Sequence, residues 1–229
     1  MERKIIQTGD GSTTIHLPKW NEQYHSKHGA IQEAYHVFIK SGLEYFIQSE
    51  FFKNSLNKSI AILEIGFGTG LNALITLTEA QKLNIQVDYC GVEAYPVKNE
   101  ELKQLNYCKE LDVKSGVFDF MHNAQWDKNC QISEKFSLVK QHKFFDKIDD
   151  HNRFNIIYFD AFGARVQPEL WTEVIFAKMY AALKPNGVLV TYSAKGSVKR
   201  AMIASGFQVE KLLGPPGKRE MLRAIKVSS

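Results

Sequence analysis

The chain has 229 residues, 44% of them hydrophobic, and a formal net charge of +4; this suffices for one domain with a large core plus an N-terminal extension. No apolar run approaches the roughly twenty residues of a membrane span, and Met1-Glu2-Arg3-Lys4 leads into no signal-peptide segment, so a soluble, cytoplasmic protein without a membrane partner is expected. Cys90, Cys108 and Cys130 are odd in number, far apart and without a Cys-x-x-Cys pair, which points to reduced thiols rather than a disulfide framework or a zinc site.

Ile5-Ile6-Gln7 and Thr14-Ile15-His16 flank the turn-rich Thr8–Ser12 and read as a β-hairpin. Apolar residues from Ile31 to Ile47 follow helical spacing, with a break expected at Ser41-Gly42. Ile60 to Ile65 is short, apolar and stopped by glycine, as a buried parallel strand would be, and Leu71 to Lys82 is helical. A second strand, Val87 to Glu93, follows. Pro96 suits a first helical turn, so Val97 to Leu111 is expected to be a polar helix. Residues 112–135 show no clear pattern, although Phe118, Phe120, Met121 and Trp126 argue against disorder.

Phe136 to Phe145 alternates as a strand does, and Arg153 to Asp160 is a clearer central strand ending in an acid. A helix over Pro168–Leu183, a turn at Lys184–Gly187, a strand over Val188–Tyr192 and a helix over Gly196–Ala204 come next. Two last strands, Phe207–Leu213 and Glu220–Val227, are joined by Gly214-Pro215-Pro216-Gly217-Lys218. Alternating strands and helices ending in a hairpin indicate a three-layer α/β fold, Rossmann-like, with a mostly parallel sheet and an antiparallel C-terminal hairpin.

The chemistry concentrates at Leu63-Glu64-Ile65-Gly66-Phe67-Gly68-Thr69-Gly70-Leu71-Asn72. Three alternate glycines between a strand and a helix allow positive φ and let a ligand lie on the backbone at the helix N-terminus. Glu93 ends the next strand roughly twenty residues on, where a ribose-binding acid sits in βαβ nucleotide sites. The spacing differs from the Gly-x-Gly-x-x-Gly of dinucleotide enzymes and no basic residue stands by to meet a pyrophosphate, which favours S-adenosylmethionine. A ligand in such a sheet lies beyond the strand ends at the switch point, so Asp160 is the candidate catalytic acid, able to take a proton or hydrogen bond from a nucleophile; capping a loop is its plain structural alternative. Phe162 is read either as a pocket wall or as ordinary core. The polar loop around Tyr24, His25 and His28 suits substrate contact better than metal binding, since the histidines lack a third ligand.

Lys195, Lys199, Arg200, Lys211, Lys218, Arg219, Arg223 and Lys226 crowd the C-terminal end, opposed by Glu210 and Glu220. A basic surface follows, read as a phosphate-binding face or as a solvated one. Lys218 and Arg219 on their rigid turn are read either as a phosphate clamp or as a plain hairpin loop.

The glycine turn, Phe159-Asp160-Ala161-Phe162 followed by Pro168-Glu169-Leu170-Trp171, and Gly217-Lys218-Arg219-Glu220-Met221-Leu222 together resemble the methyltransferase domain of the tRNA 5-methylaminomethyl-2-thiouridine biosynthesis family. The loop Glu22–Ser26 with Gly29 and Glu33 is similar too. The resemblance implies an N-terminal hairpin and helical extension over residues 1–55 and a methyltransferase domain over 56–229, in stand-alone form without the flavin-dependent oxidase. It implies methyl transfer from S-adenosylmethionine to the exocyclic amine of 5-aminomethyl(-2-thio)uridine at the wobble position, with the tRNA anticodon loop as partner. Asp160 would be catalytic; Glu64, Gly66, Gly68, Gly70, Asn72 and Glu93 would hold the cofactor; Tyr24, Phe162, Lys218 and Arg219 would contact substrate. The family's Asp-Gly-Phe-Ala-Pro is Asp160-Ala161-Phe162-Gly163-Ala164 here, and its acid near the adenine is replaced around Gln141-His142-Lys143. A small-molecule methyl- or aminopropyltransferase of the same fold, marked by an acidic pocket, is the alternative enzyme, and a non-catalytic RNA-binding relic is the alternative outside enzymes.

Overall fold

The structure, a computed structural model, describes residues 2–56 and 58–227. Its centre is an eight-stranded sheet built from β4 (Ser59–Ile65), β5 (Gln86–Glu93), β6 (Asn129–Ser133), β7 (Phe136–His142), β8 (Phe154–Phe159), β9 (Leu183–Thr191), β10 (Gln208–Leu213) and β11 (Glu220–Ile225), in the order β10-β11-β9-β8-β4-β5-β7-β6. The inner strands β9, β8, β4, β5 and β7 are parallel, β11 and β6 run opposite to them, and the edge strand β10 pairs antiparallel with β11. The α/β class, the mostly parallel sheet and the final hairpin are as the sequence indicates.

Side chains alternate along each strand, so β4 sends Ile60 and Ile62 into one core and Leu63 and Ile65 into the other. The first core is covered by the helices over residues 30–48 and Leu71–Leu83, the second by Glu173–Ala182 and Gly196–Ala204. Glu64 and Asp160 share the first face. That face carries the site, because the sheet order reverses between β4 and β8 and leaves a crevice beyond their C-terminal ends.

Before this sheet, β1 (Lys4–Gln7), β2 (Thr13–Leu17) and β3 (Glu22–Gln23) form a small antiparallel sheet, one strand more than the expected hairpin. No break occurs at Ser41-Gly42. The helix runs on with π-type winding over Tyr35–Glu44, the Ser41 hydroxyl donating to the His36 carbonyl at 2.8 Å. Gly42 answers a packing demand instead: a Cβ there would stand 3.0 Å from Val190 and 3.3 Å from Tyr158, so the absent side chain lets the helix approach the sheet.

The expected helix over Val97–Leu111 is two single turns, Asn99–Leu102 and Tyr107–Glu110. Between them Asn106 turns its side chain to the N-terminal sheet, accepting from Thr13 N–H at 2.8 Å and donating to the Gly11 carbonyl at 2.9 Å. The unpatterned 112–135 stretch holds a helix, Ser115–Asn123, and the polar edge strand β6. The turn expected at Lys184–Gly187 is an irregularity inside β9, which pairs β8 at Leu183 and again from Val188. No helix among the described residues is long and apolar enough to cross a membrane.

Candidate active site

The turn after β4 is held open by its own backbone. Gly66 and Phe67 donate to the Val92 carbonyl, each at 3.0 Å, and Gly66, Gly68 and Gly70 have φ of +90°, +50° and +73°. A Cβ on Gly66 would stand 2.8 Å from the Asp160 carbonyl oxygen, and one on Gly68 would stand 3.1 Å from the Tyr24 ring. The turn, the β8 end and the Tyr24 loop are therefore in direct contact, and side chains are excluded where they meet. Glu93 closes the other side: one carboxylate oxygen accepts from Gly68 N–H at 3.0 Å and the other from Tyr95 N–H at 2.8 Å. Its half-exposed carboxylate keeps acceptor capacity for further donors.

Glu64 and Asn72 lie deeper than expected. Glu64 is 1% exposed, with its oxygens taken by the Tyr89 hydroxyl at 2.8 Å and by Asn72 Nδ2 at 2.8 Å. Asn72 Nδ2 also donates to Asp160 Oδ2 at 2.9 Å. Burial holds the Glu64 carboxyl well above the usual carboxylate range, with Asp160 and Glu93 adding repulsion. Glu64 is thus buried behind Asn72 and Tyr89, which occupy both of its carboxylate oxygens. The buried Oδ1 of Asn72 has no hydrogen-bond partner among the described residues.

Asp160 follows β8 directly, its N–H donating to the Ile65 carbonyl at 2.9 Å. Burial pushes its carboxyl up to about 7, Glu33 adding to the rise and Asn72 and Lys218 opposing it. The following loop is fixed from outside. Tyr192 donates to the Ala161 carbonyl and the Trp171 indole to the Phe162 carbonyl, both at 2.8 Å. Phe162 meets the Tyr24 ring edge-on at 5.0 Å and the Trp20 ring at 5.8 Å. It packs against the first core and also walls a cavity of about 210 Å³ lined by Tyr24, Tyr192, Glu33, Lys218 and Asp160.

The basic hairpin divides. Lys218 turns inward to pair with Glu33 and lies 4.0 Å over the Tyr192 ring, whereas Arg219 stays exposed. Of the two cations, Lys218 already has a counter-charge in Glu33, and Arg219 has no ion pair among the described residues. The wider basic surface is thinned likewise: Lys211 pairs with Glu220, Arg223 with Glu210, and Lys226 donates to the Tyr180 and Leu183 carbonyls. Lys195, Lys199, Arg200 and Arg219 carry no ion pair among the described residues.

His25 and His28 diverge. Burial drives His25 down to about 4, and its Nε2 shares a 2.8 Å hydrogen bond with the Thr69 hydroxyl, pinning the loop to the glycine turn. The His28 ring lies against Gly217. No cluster placed to hold a metal occurs among the described residues. The sequence reading assigned no site role to Tyr192, Thr69 and His122, whose Nε2 stands 3.1 Å from the Thr69 carbonyl. Thr69 lies inside the glycine motif, whereas His122 and Tyr192 stand outside every motif of the sequence. The residues present fit a nucleoside cofactor: a glycine cradle that a Cβ would fill, a strand-end acid beside it, and an unpartnered buried amide oxygen.

Comparison with known proteins agrees. A family model described as S-adenosyl-L-methionine-dependent methyltransferase matches residues 118–227. The tRNA 5-methylaminomethyl-2-thiouridine biosynthesis bifunctional protein MnmC of Leptospira interrogans is 27% identical over 212 residues, covering 89% of this chain and 32% of that protein. The protein of the same name from Idiomarina loihiensis is 26% identical, over 89% and 35%. The chain thus spans about a third of the length of these relatives. Among solved structures, MnmC2 from Aquifex aeolicus superposes with a TM-score of 0.78 at 23% identity over 100% of this chain and 71% of that one. Spermidine synthase from Thermotoga maritima reaches 0.54 at 14% identity, over 98% and 68%. With the glycine cradle, Glu93 and Asp160 at the switch point, the chain is similar to S-adenosyl-L-methionine-dependent methyltransferases over residues 118–227 and to the tRNA 5-methylaminomethyl-2-thiouridine biosynthesis proteins over 89% of its length.

Proposed function

We propose that the chain methylates the exocyclic amine of 5-aminomethyl(-2-thio)uridine at the tRNA wobble position. One observation carries the reading: Asp160, an acid pushed up to about 7, stands at the end of β8 against the glycine turn and inside an aromatic-walled cavity. In this reading the Gly66–Gly70 turn and Glu93 hold S-adenosylmethionine, which supplies a methyl group on a sulfonium. A free alkyl ammonium has a pKa near about 10, so the amine needs a proton acceptor before its lone pair can attack. Asp160 is that acceptor, and Asn72 holds its carboxylate in place. Tyr24 and Phe162 flank the base, which must leave the anticodon stack to arrive there. Alignment of amine and methyl group is worth on the order of 7–11 kcal/mol of the barrier.

Lys195, Lys199, Arg200 and Arg219 are the cations left for anticodon-loop phosphates. The aminopropyl reading draws on the carboxylates Glu22, Glu33 and Asp160 in the cavity. Two of these are already matched, Glu22 by Arg165 at 2.6 Å and Glu33 by Lys218, and so do not make an acidic pocket. Incubation with labelled S-adenosylmethionine and bulk tRNA lacking this methyl group, followed by nucleoside analysis, tests the proposal. Label in 5-methylaminomethyl-2-thiouridine is expected; label only on small amines would overturn it.

A further inference from the structure

The helix behind the Tyr24–His28 loop carries an acid, Glu33, that has no place yet in the chemistry of the site. Glu33 is 6% exposed; its Oε2 accepts from Ser26 N–H at 2.8 Å and its Oε1 from the Lys218 ammonium. Lys218 lies on the Tyr192 ring, and Tyr192 in turn holds the carbonyl of Ala161, next to Asp160. The backbone of Gly217, with φ +83°, backs onto the His28 ring. Segments 185 residues apart thus close together over Asp160. An ion pair with one member buried is a poor fastener, since apolar groups of similar size hold two segments as well with less desolvation cost. The charges call for another reason, and both line the Asp160 cavity.

We propose that Glu33 is a positioning residue of the methyl-transfer site: it holds Lys218 on Tyr192 so that one positive and one negative charge balance beside Asp160, keeping Asp160 able to take the amine's proton. The proposal rests on Asp160 being the acceptor. The groups that face Asp160 are Glu64 from β4, Asn72 from the Leu71–Leu83 helix, Tyr89 from β5, Tyr107, Tyr192 just after β9, Glu33 and Lys218. Glu33 repels the ionised carboxylate and Lys218 attracts it. Neutralising Glu33 leaves Lys218 unopposed, so Asp160 ionises at lower pH and becomes a weaker base. Removing Lys218 leaves Glu33 unpaired, so Asp160 keeps its proton to higher pH.

Single-turnover methylation of tRNA against pH, with the full chain saturated in S-adenosylmethionine, separates these effects. Glu33→Gln should move the acid limb down by roughly one unit and Lys218→Met should move it up by a similar amount, the lower end of what a close charge does to a carboxyl. Lys218→Arg should restore the wild-type limb. Melting curves and calorimetric cofactor affinity on each variant establish that it is folded. Limbs that stay put, or that move the same way in both variants, overturn the proposal. Should Glu33→Gln not fold, an unmoved limb in Lys218→Met overturns it alone. A wild-type acid limb that survives in Asp160→Asn would instead remove Asp160 as the acceptor, which is a failure of the functional reading.

Discussion

Replacing Asp160 by Asn tests both halves of its reading, because the same burial that makes it a base also costs the fold. The side chain keeps its size and can still accept from Asn72 Nδ2. It loses the ability to take a proton, so the chemical step should slow by roughly 10²–10⁴-fold, the usual contribution of a positioned base. Stability should move the other way. The carboxyl rises from 3.8 to about 7 on folding, so between these values the folded chain binds more protons than the unfolded one. Stability then falls as pH climbs through that window. At about 1.4 kcal/mol per unit, the ionised carboxylate costs on the order of 4 kcal/mol above pH 7. Asn escapes this cost. The variant should melt higher than wild type at about pH 8, by roughly 2–4 °C for each kcal/mol recovered, with the gain vanishing toward about pH 4. Wild-type methylation should rise with pH through about 7 as Asp160 ionises, and this limb should be lost in the variant while the later rise from amine deprotonation persists at a lower plateau. Single-turnover rates and melting temperatures against pH provide the check. A variant within a few-fold of the wild-type rate, or one that melts lower at about pH 8, refutes the reasoning.

Gly68→Val should abolish S-adenosylmethionine binding in a folded chain, since a branched residue is strained at φ +50° and would press on the Tyr24 ring; unchanged calorimetric affinity would count against the cradle. Glu93→Ala should weaken cofactor binding by about 1–3 kcal/mol, the scale of hydrogen bonds to a charged group, and an unaltered dissociation constant would take Glu93 out of the site. Arg219→Ala should lower the logarithmic salt slope of tRNA binding by about 0.7–0.9 without altering cofactor affinity. A wild-type slope would leave Arg219 as a solvated loop cation.

The sequence by itself carried the sheet, because buried parallel strands such as Ile60–Ile65 and Phe154–Phe159 are continuous apolar runs punctuated by glycine or acid, a local signal that survives without neighbours. It carried the glycine turn, Glu93 and Asp160 for the same reason: each sits at a strand end, and strand ends in a parallel sheet converge. Segments whose conformation serves a distant partner were not legible. Ser41-Gly42 has the composition of a break, yet Gly42 exists to admit Val190 and Tyr158. Asn106 has the composition of a helix interior, yet its side chain is committed to Gly11 and Thr13. The edge strand β6 is too polar to stand out beside a sheet that needs only one of its sides. Charge was the least legible property. Lys218 and Arg219 are adjacent cations in the sequence, and only the fold, by setting buried Glu33 opposite the first, sends one into the cavity and leaves the other in solvent. Likewise nothing local distinguishes Glu64, buried behind Asn72, from the half-exposed Glu93. Ionisation depends on what surrounds a group in three dimensions, and a linear pattern does not contain that.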